Sequence, residues 1–155
     1  MGSCCRVAIV AIVMLASRTS DAERSNTIYV EAFGKAGLWG VGFDHRFDRR
    51  YVVGAVGSGQ SFDGQRYVTM SPYVGLAIAR YGRSAWFADI GAQFAHVWSD
   101  SPVPEWSGSS STGVGGMLST GYEFRGRLLF RLYIHGVIGK GGALPWAGTS
   151  LGWAF

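Results

Sequence analysis

Charge is scarce in this 155-residue sequence: Asp, Glu, Lys and Arg together make up 15% of it, against about a quarter in ordinary globular chains. Hydrophobic residues nevertheless reach 48%, which excludes a solvated, disordered chain. Cysteine is nearly missing, since the two present, Cys4 and Cys5, are adjacent near the N-terminus. After residue 22 no segment has a 3.6-residue apolar period, so no helix is expected and a helical bundle is excluded. No apolar run approaches the roughly 20 residues that a spanning helix requires. What the sequence does have is glycine, 24 residues of it, and aromatics at 14%. That combination suits β-structure whose surface does not all face water.

The first 22 residues read as a processing signal. Arg6 precedes the apolar run from Val7 to Ala16, and Ser20-Asp21-Ala22 places small residues at the two cleavage-determining positions. This is the order of a secretory signal peptide over 1–22, with the mature domain over 23–155. Its removal takes both cysteines away, so neither a disulfide nor thiol chemistry is expected. Without Arg6, Arg18 and Asp21, the 14 basic and 10 acidic residues become 12 and 9. So small an excess, on an exported chain, argues against a nucleic-acid partner.

From Asn26 onward the apolar period is two, broken by Gly, Asp, Ser and Arg clusters. Strands are expected near 26–36, 38–47, 51–60, 67–80, 84–97, 113–124, 128–138 and 146–155. Eight strands of this length make an all-β chain. The links at Asp48-Arg49-Arg50, Tyr81-Gly82-Arg83 and Arg125-Gly126-Arg127 are tight and basic. Longer links are expected over 58–66, 99–112 and 139–144, the second carrying two prolines and a run of serines. The first link, around Ala36-Gly37, is short and breaks the trend, but short and long links otherwise alternate, which matches an antiparallel up-and-down transmembrane β-barrel.

Alternation alone does not orient a barrel. Over 128–138 one parity reads Leu128, Phe130, Leu132, Ile134 and the other Leu129, Arg131, Tyr133, His135. A soluble lipocalin-like barrel would bury the first set, and a membrane barrel the second. Two features favour the second. The more polar parity is small rather than highly charged, as in Gly115, Met117, Ser119, Gly121, Glu123, which fits the narrow inside of eight strands. Apolar stripes also end in aromatics. Trp86 and Trp98 share one parity, at a separation of some 25–30 Å of tilted strand, roughly the distance between two membrane interfaces. Trp39, Trp86, Trp98 and Trp153 are therefore expected to form an interfacial girdle.

The sequence closes on Leu151-Gly152-Trp153-Ala154-Phe155. A terminal Phe with Trp153 and Leu151 at alternate positions resembles the C-terminal signature of bacterial outer-membrane β-barrel proteins. With the signal peptide and eight strands, the mature chain is similar to the small OmpA-, OmpX- or opacity-protein-like barrels. The resemblance implies residence in the bacterial outer membrane, contact with its lipid, and delivery by the barrel-assembly machinery, which would read Leu151, Trp153 and Phe155. It also implies a monomer closed and filled by its own side chains.

With lipid outside, Glu31, Asp44, Arg46, Asp89, Glu123, Arg131 and His135 point inward, beside Tyr29, Lys35, Tyr73, Gln93 and Tyr133. Charges there must be paired, and Glu123 and Arg131 are close enough for a diagonal pair across one hairpin. A structural polar network is the expected reading, with a narrow ion path as its alternative. Lipid A-modifying enzymes share this architecture, and His96, Ser99 and Glu105 are the residues that could make a hydrolytic set. Ser99 falls on the face opposite His96, and Glu105 lies in a proline-containing link, so no catalytic residue is assigned. Three histidines on separate strands lack metal-ligand spacing, and no cofactor is expected. The expected role is structural or interactive, through outward loops such as 99–112 with Trp106. A channel, a lipid A-modifying enzyme and a soluble secreted binding barrel are the alternatives.

Overall fold

The structure is a computed structural model that describes residues 25–62, 64–99, 109–139 and 142–155. The expected signal peptide, with Cys4 and Cys5, lies outside the described residues, as do Glu105 and Trp106. Eight strands follow in chain order: β1 (Asn26–Gly34), β2 (Gly37–Phe47), β3 (Tyr51–Phe62), β4 (Gln65–Tyr81), β5 (Ser84–Ser99), β6 (Ser109–Arg125), β7 (Leu128–Gly139) and β8 (Gly142–Ala154). Each pairs with the next, and β8 returns to β1 in a closed barrel. All pairings are antiparallel. Strand number and class agree with the period-two reading. The closing seam runs from Thr27 opposite Ala154 to Ala32 opposite Thr149. Two hydrogen bonds extend it, Asn26 N to Phe155 O at 3.1 Å and Phe155 N to Asn26 O at 2.8 Å.

Three expected links are shorter than composition implied. The 58–66 link reduces to residues 63–64, with Gly64 at φ 72°. An Asp-Gly dipeptide between paired strands is a strong hairpin signal, because the glycine takes positive φ without strain. β6 begins at Ser109, four residues before the expected start, and Ser109 pairs with Ser99. Pairing with β5 overrides the loop-like composition of that serine run. β8 begins at Gly142 and runs through Pro145, which sits opposite Gly136 of β7. The ladder to β1 reaches only as far as Thr149, so Pro145 lies where β8 is paired on one side alone, the position a proline tolerates. Among the described strands, only the consecutive pair β5 and β6 is separated by more than three residues in sequence.

The pleat sorts side chains to opposite faces. Along β7, Leu129, Arg131, Tyr133 and His135 are buried, while Ile134, at 63% exposure, and Leu132, at 56%, face outward. The same sorting exposes Val30, Val53, Ile90 and Leu118. A wall apolar outside and polar inside inverts a water-soluble barrel, and an exposed apolar surface this continuous marks contact with lipid. Glycines make room for the large inward rings. Gly54 is opposite Tyr73, and a Cβ added there would lie 2.7 Å from the tyrosine ring.

Candidate functional site

The buried polar groups converge inside the barrel. Four cations, Lys35, Arg46, Arg125 and Arg131, and four carboxylates, Glu31, Asp44, Asp89 and Glu123, are each 8% exposed or less. They cancel in charge, as a low-dielectric interior demands, because an uncompensated charge there costs several kcal/mol, about 3–5 when one partner of a buried pair is removed.

The groups form two layers. Toward the end where Asn26 and Phe155 meet, Asp44 on β2 and Glu123 on β6 are surrounded by three guanidinium groups. Arg131 donates Nε to Glu123 Oε2 and Nη2 to Asp44 Oδ2, both at 2.7 Å. The register places Glu123 directly opposite Arg131, a closer relation than the diagonal expected. Arg125 donates Nη2 to Asp44 Oδ1 at 3.0 Å and Nη1 to Thr27 Oγ1 at 2.6 Å, and reaches Glu123 at 3.3 Å. Arg46 completes the set through Glu123. Each arginine presents a planar fork that matches a carboxylate edge, so three of them can share two acids without leaving either bare. Tyr73 donates to Asp44 at 3.3 Å, and its hydroxyl meets that of Tyr29 at 2.9 Å.

Arg125 was missed in the sequence, where "Arg125-Gly126-Arg127" read as a turn. It is the last residue of β6, and its parity is that of Ser119, Gly121 and Glu123. Carrying that parity one step further would have found it.

The second layer is built on the β1–β2 turn. Phe33 takes a φ of 51° and Gly37 a φ of 107°, and the chain between them folds into the lumen. Lys35 and Ala36 are 1% and 0% exposed. Lys35 Nζ donates to Asp89 Oδ2 at 2.6 Å and lies 3.8 Å above the Tyr73 ring, a cation–π contact that strengthens as water is removed. Ser71 Oγ and Gln93 Nε2 donate to the Lys35 carbonyl at 2.9 and 2.7 Å. Ser58 Oγ and Thr69 Oγ1 donate to the Ala36 carbonyl at 2.9 and 2.7 Å. Glu31 accepts from Ala36 N and from Tyr133 Oη, both at 2.8 Å. Four strands thus satisfy the backbone polar groups of a turn that would otherwise be buried at a cost. The sequence reading continued the first strand through residue 36, with Lys35 as an ordinary inward side chain. Period two cannot reveal a turn that folds inward, because its donors come from distant strands.

His135 and Trp146 pack edge-to-face at 4.6 Å above this turn, and His135 Nδ1 meets Ser119 Oγ at 3.0 Å. On the outer face, Trp39, Trp86 and Trp98 are 49%, 53% and 41% exposed, and Trp153 is half-buried. Arg127 stacks over Trp153 at 4.8 Å. Leu151 faces outward on the same parity as Trp153. The structure does not bring His96 to Ser99: His96 Nδ1 meets Thr112 Oγ1 at 2.6 Å, and its ring packs on Trp98 at 4.2 Å. Among the described residues no group of three or more His, Cys, Asp or Glu is placed to hold a metal.

No protein-family model matches the sequence, and no curated protein does either. Solved structures do match in fold. The N-terminal β-barrel domain of OprF from Pseudomonas aeruginosa superposes with a TM-score of 0.69 at 14% identity, over 86% of this chain and 98% of that one. Ail, the attachment invasion locus protein of Yersinia pestis, gives a TM-score of 0.54 at 11% identity, over 84% and 94%. A structure of Ail in complex with the heparin analogue sucrose octasulfate gives 0.56 at 10% identity, over the same 84% and 94%. With its closed eight-stranded antiparallel wall, apolar outer face and polar core, the chain has the fold of the small bacterial outer-membrane β-barrels.

Proposed function

We propose that the chain is an integral outer-membrane barrel with a sealed interior, acting structurally or through the surface it presents at its loop end. The observation that carries this is the inward-folded β1–β2 turn. Lys35 and Ala36 occupy the lumen, and side chains from β3, β4 and β5 hold their carbonyls. Beneath the turn, three arginines and two carboxylates fill the remaining section. An eight-stranded barrel leaves room for little beyond side chains, which argues against a hydrated ion path. In this reading Glu31, Asp44, Arg46, Asp89, Glu123, Arg131 and His135 form a structural plug, and no residue is catalytic. The tryptophans act as interfacial anchors. Leu151, Trp153 and Phe155 serve the barrel-assembly machinery during biogenesis, after which the chain stands as a monomer in outer-membrane lipid. The surface role follows from the loop end, where β4, β5 and β6 are 17, 16 and 17 residues long and overtop the shorter β1 and β2.

The test is conductance in planar bilayers, with insertion verified by heat-modifiable gel mobility. The expected result is a bilayer no leakier than a protein-free one. Regular single-channel openings from the folded species would overturn the sealed reading and favour a narrow channel.

A further inference from the structure

The rim where Asn26 and Phe155 meet carries a cluster of arginines outside the plug, predominantly basic among the described residues. Its three links are residues 48–50, 82–83 and 126–127. They bring together Arg49, Arg50, Arg83 and Arg127, all exposed, with the half-buried Arg80 beside them. The one exposed acid among the described residues of this rim is Asp48. Two contacts tie these links to their neighbours: Arg80 Nη1, near the end of β4, donates to the Arg49 carbonyl, and the Arg83 side chain lies 3.8 Å from where a Cβ on Gly126 would sit. The arginines therefore share one rim, as a crown of basic groups on three neighbouring links.

Just above the crown runs a belt of outward aromatics. Tyr81 is 72% exposed, Tyr51 56%, Trp86 53% and Phe47 49%. Exposed aromatics of this kind settle at the level of lipid headgroups. Links of two or three residues cannot carry the arginines far beyond that level. Arg127 is moreover held over the Trp153 ring at 4.8 Å, which fixes one guanidinium at the height of an interfacial tryptophan. A guanidinium at that height faces phosphate oxygens, which it recognises through its planar fork.

We infer that this rim is a binding surface for anionic phospholipid, with Arg49, Arg50, Arg83 and Arg127 gathering acidic headgroups in the leaflet on the side of the three short links. The proposal rests on the membrane-barrel reading above. Headgroup charge sets the selectivity, so phosphatidylglycerol is retained over phosphatidylcholine, and the preference weakens as salt screens it.

The experiment uses the full folded chain in nanodiscs of mixed phosphatidylglycerol and phosphatidylcholine, read by the relative association of spin-labelled forms of the two lipids. Heat-modifiable mobility reports separately on whether the membrane barrel has formed. The expected result is an association ratio of at least about threefold in favour of phosphatidylglycerol, falling toward one in 0.5 M NaCl. The quadruple variant R49Q/R50Q/R83Q/R127Q loses the preference while keeping its heat-modifiable shift, and Arg66→Gln, on the opposite rim, keeps it. The pair R83Q/R127Q, expected to lose part of it, stands in if the quadruple variant fails to fold. Equal association of both lipids with wild-type protein overturns the proposal, as does a preference that survives the substitutions. Salt-sensitive co-sedimentation with peptidoglycan, without lipid selectivity, would overturn it in favour of a cell-wall partner. Loss of the heat-modifiable shift in wild type would instead overturn the membrane reading on which it rests.

Discussion

Replacing either partner of the Glu123–Arg131 pair perturbs the same contact, yet the two changes are expected to differ in cost. Glu123 is held by Arg46, Arg125 and Arg131, and Asp44 by Arg125 and Arg131. Arg131→Met keeps most of the side-chain volume and leaves two guanidinium groups facing two carboxylates. Both acids keep a cation: Arg46 and Arg125 for Glu123, Arg125 for Asp44. Breaking a buried ion pair costs about 3–5 kcal/mol when the abandoned charge stands alone. Here neither does, and the expected loss is about 2–3 kcal/mol. Glu123→Gln leaves three guanidinium groups around Asp44, and Arg46 loses its only ion-pair partner among the described residues. That change belongs at the upper end, about 4–5 kcal/mol, a large part of a typical folding free energy of about 5–15 kcal/mol. Urea unfolding in phospholipid vesicles, followed by tryptophan fluorescence, measures both variants. Heat-modifiable mobility verifies that each folds. Losses below about 0.5 kcal/mol for both would refute a network that holds the barrel together, since that is the range of an ordinary surface change. The reverse order would refute the charge accounting.

Three further outcomes follow. Lys35→Met strands Asp89 in the interior and is expected to destabilise by about 3 kcal/mol, whereas Lys35→Met with Asp89→Leu recovers most of the loss, because removing both charges also removes their desolvation; the same urea transitions report both. Gly54→Val drives a branched side chain against the Tyr73 ring, at 2.7 Å from an added Cβ, and is expected to cost at least about 2 kcal/mol and lower the refolding yield. Pro145→Val changes stability by no more than about 0.5 kcal/mol, because β8 has only β7 beside it there; a markedly larger effect would show that the proline is structurally required.

How far the fold was legible depended on how local its signals are. Period two is written residue by residue, so the strand count and the up-and-down order were open to reading. Link lengths were not, because strand pairing overrides local composition. The serines at 109–111 look like loop, yet β5 runs long enough to pair with them. Asp63-Gly64 is the opposite case, a local hairpin signal hidden among the flanking Gly, Ser and Gln. Inside the barrel the difficulty is distance in sequence. Arg125 and Thr27 are 98 residues apart and hydrogen-bond at 2.6 Å, and only barrel closure brings them together. The inward turn is harder still. Lys35 gives no sign in the sequence that Asp89, Ser71 and Gln93 will receive it, since they are placed by β4 and β5, 36 to 58 residues further along the chain.

At the centre of this account is one parity in lipid and the other in a sealed core, and tryptophan fluorescence reads that sorting directly. Trp86 faces outward from β5, whereas Trp146 turns inward from β8 and donates to the Gly34 carbonyl at 3.3 Å. Two single-tryptophan proteins, one keeping Trp86 and one keeping Trp146 with the others changed to Phe, are refolded into vesicles of brominated phosphatidylcholine, whose bromines quench on contact. The account predicts strong quenching of Trp86 and little change in Trp146. Trp146 quenched as strongly as Trp86, or Trp86 left untouched, would contradict it.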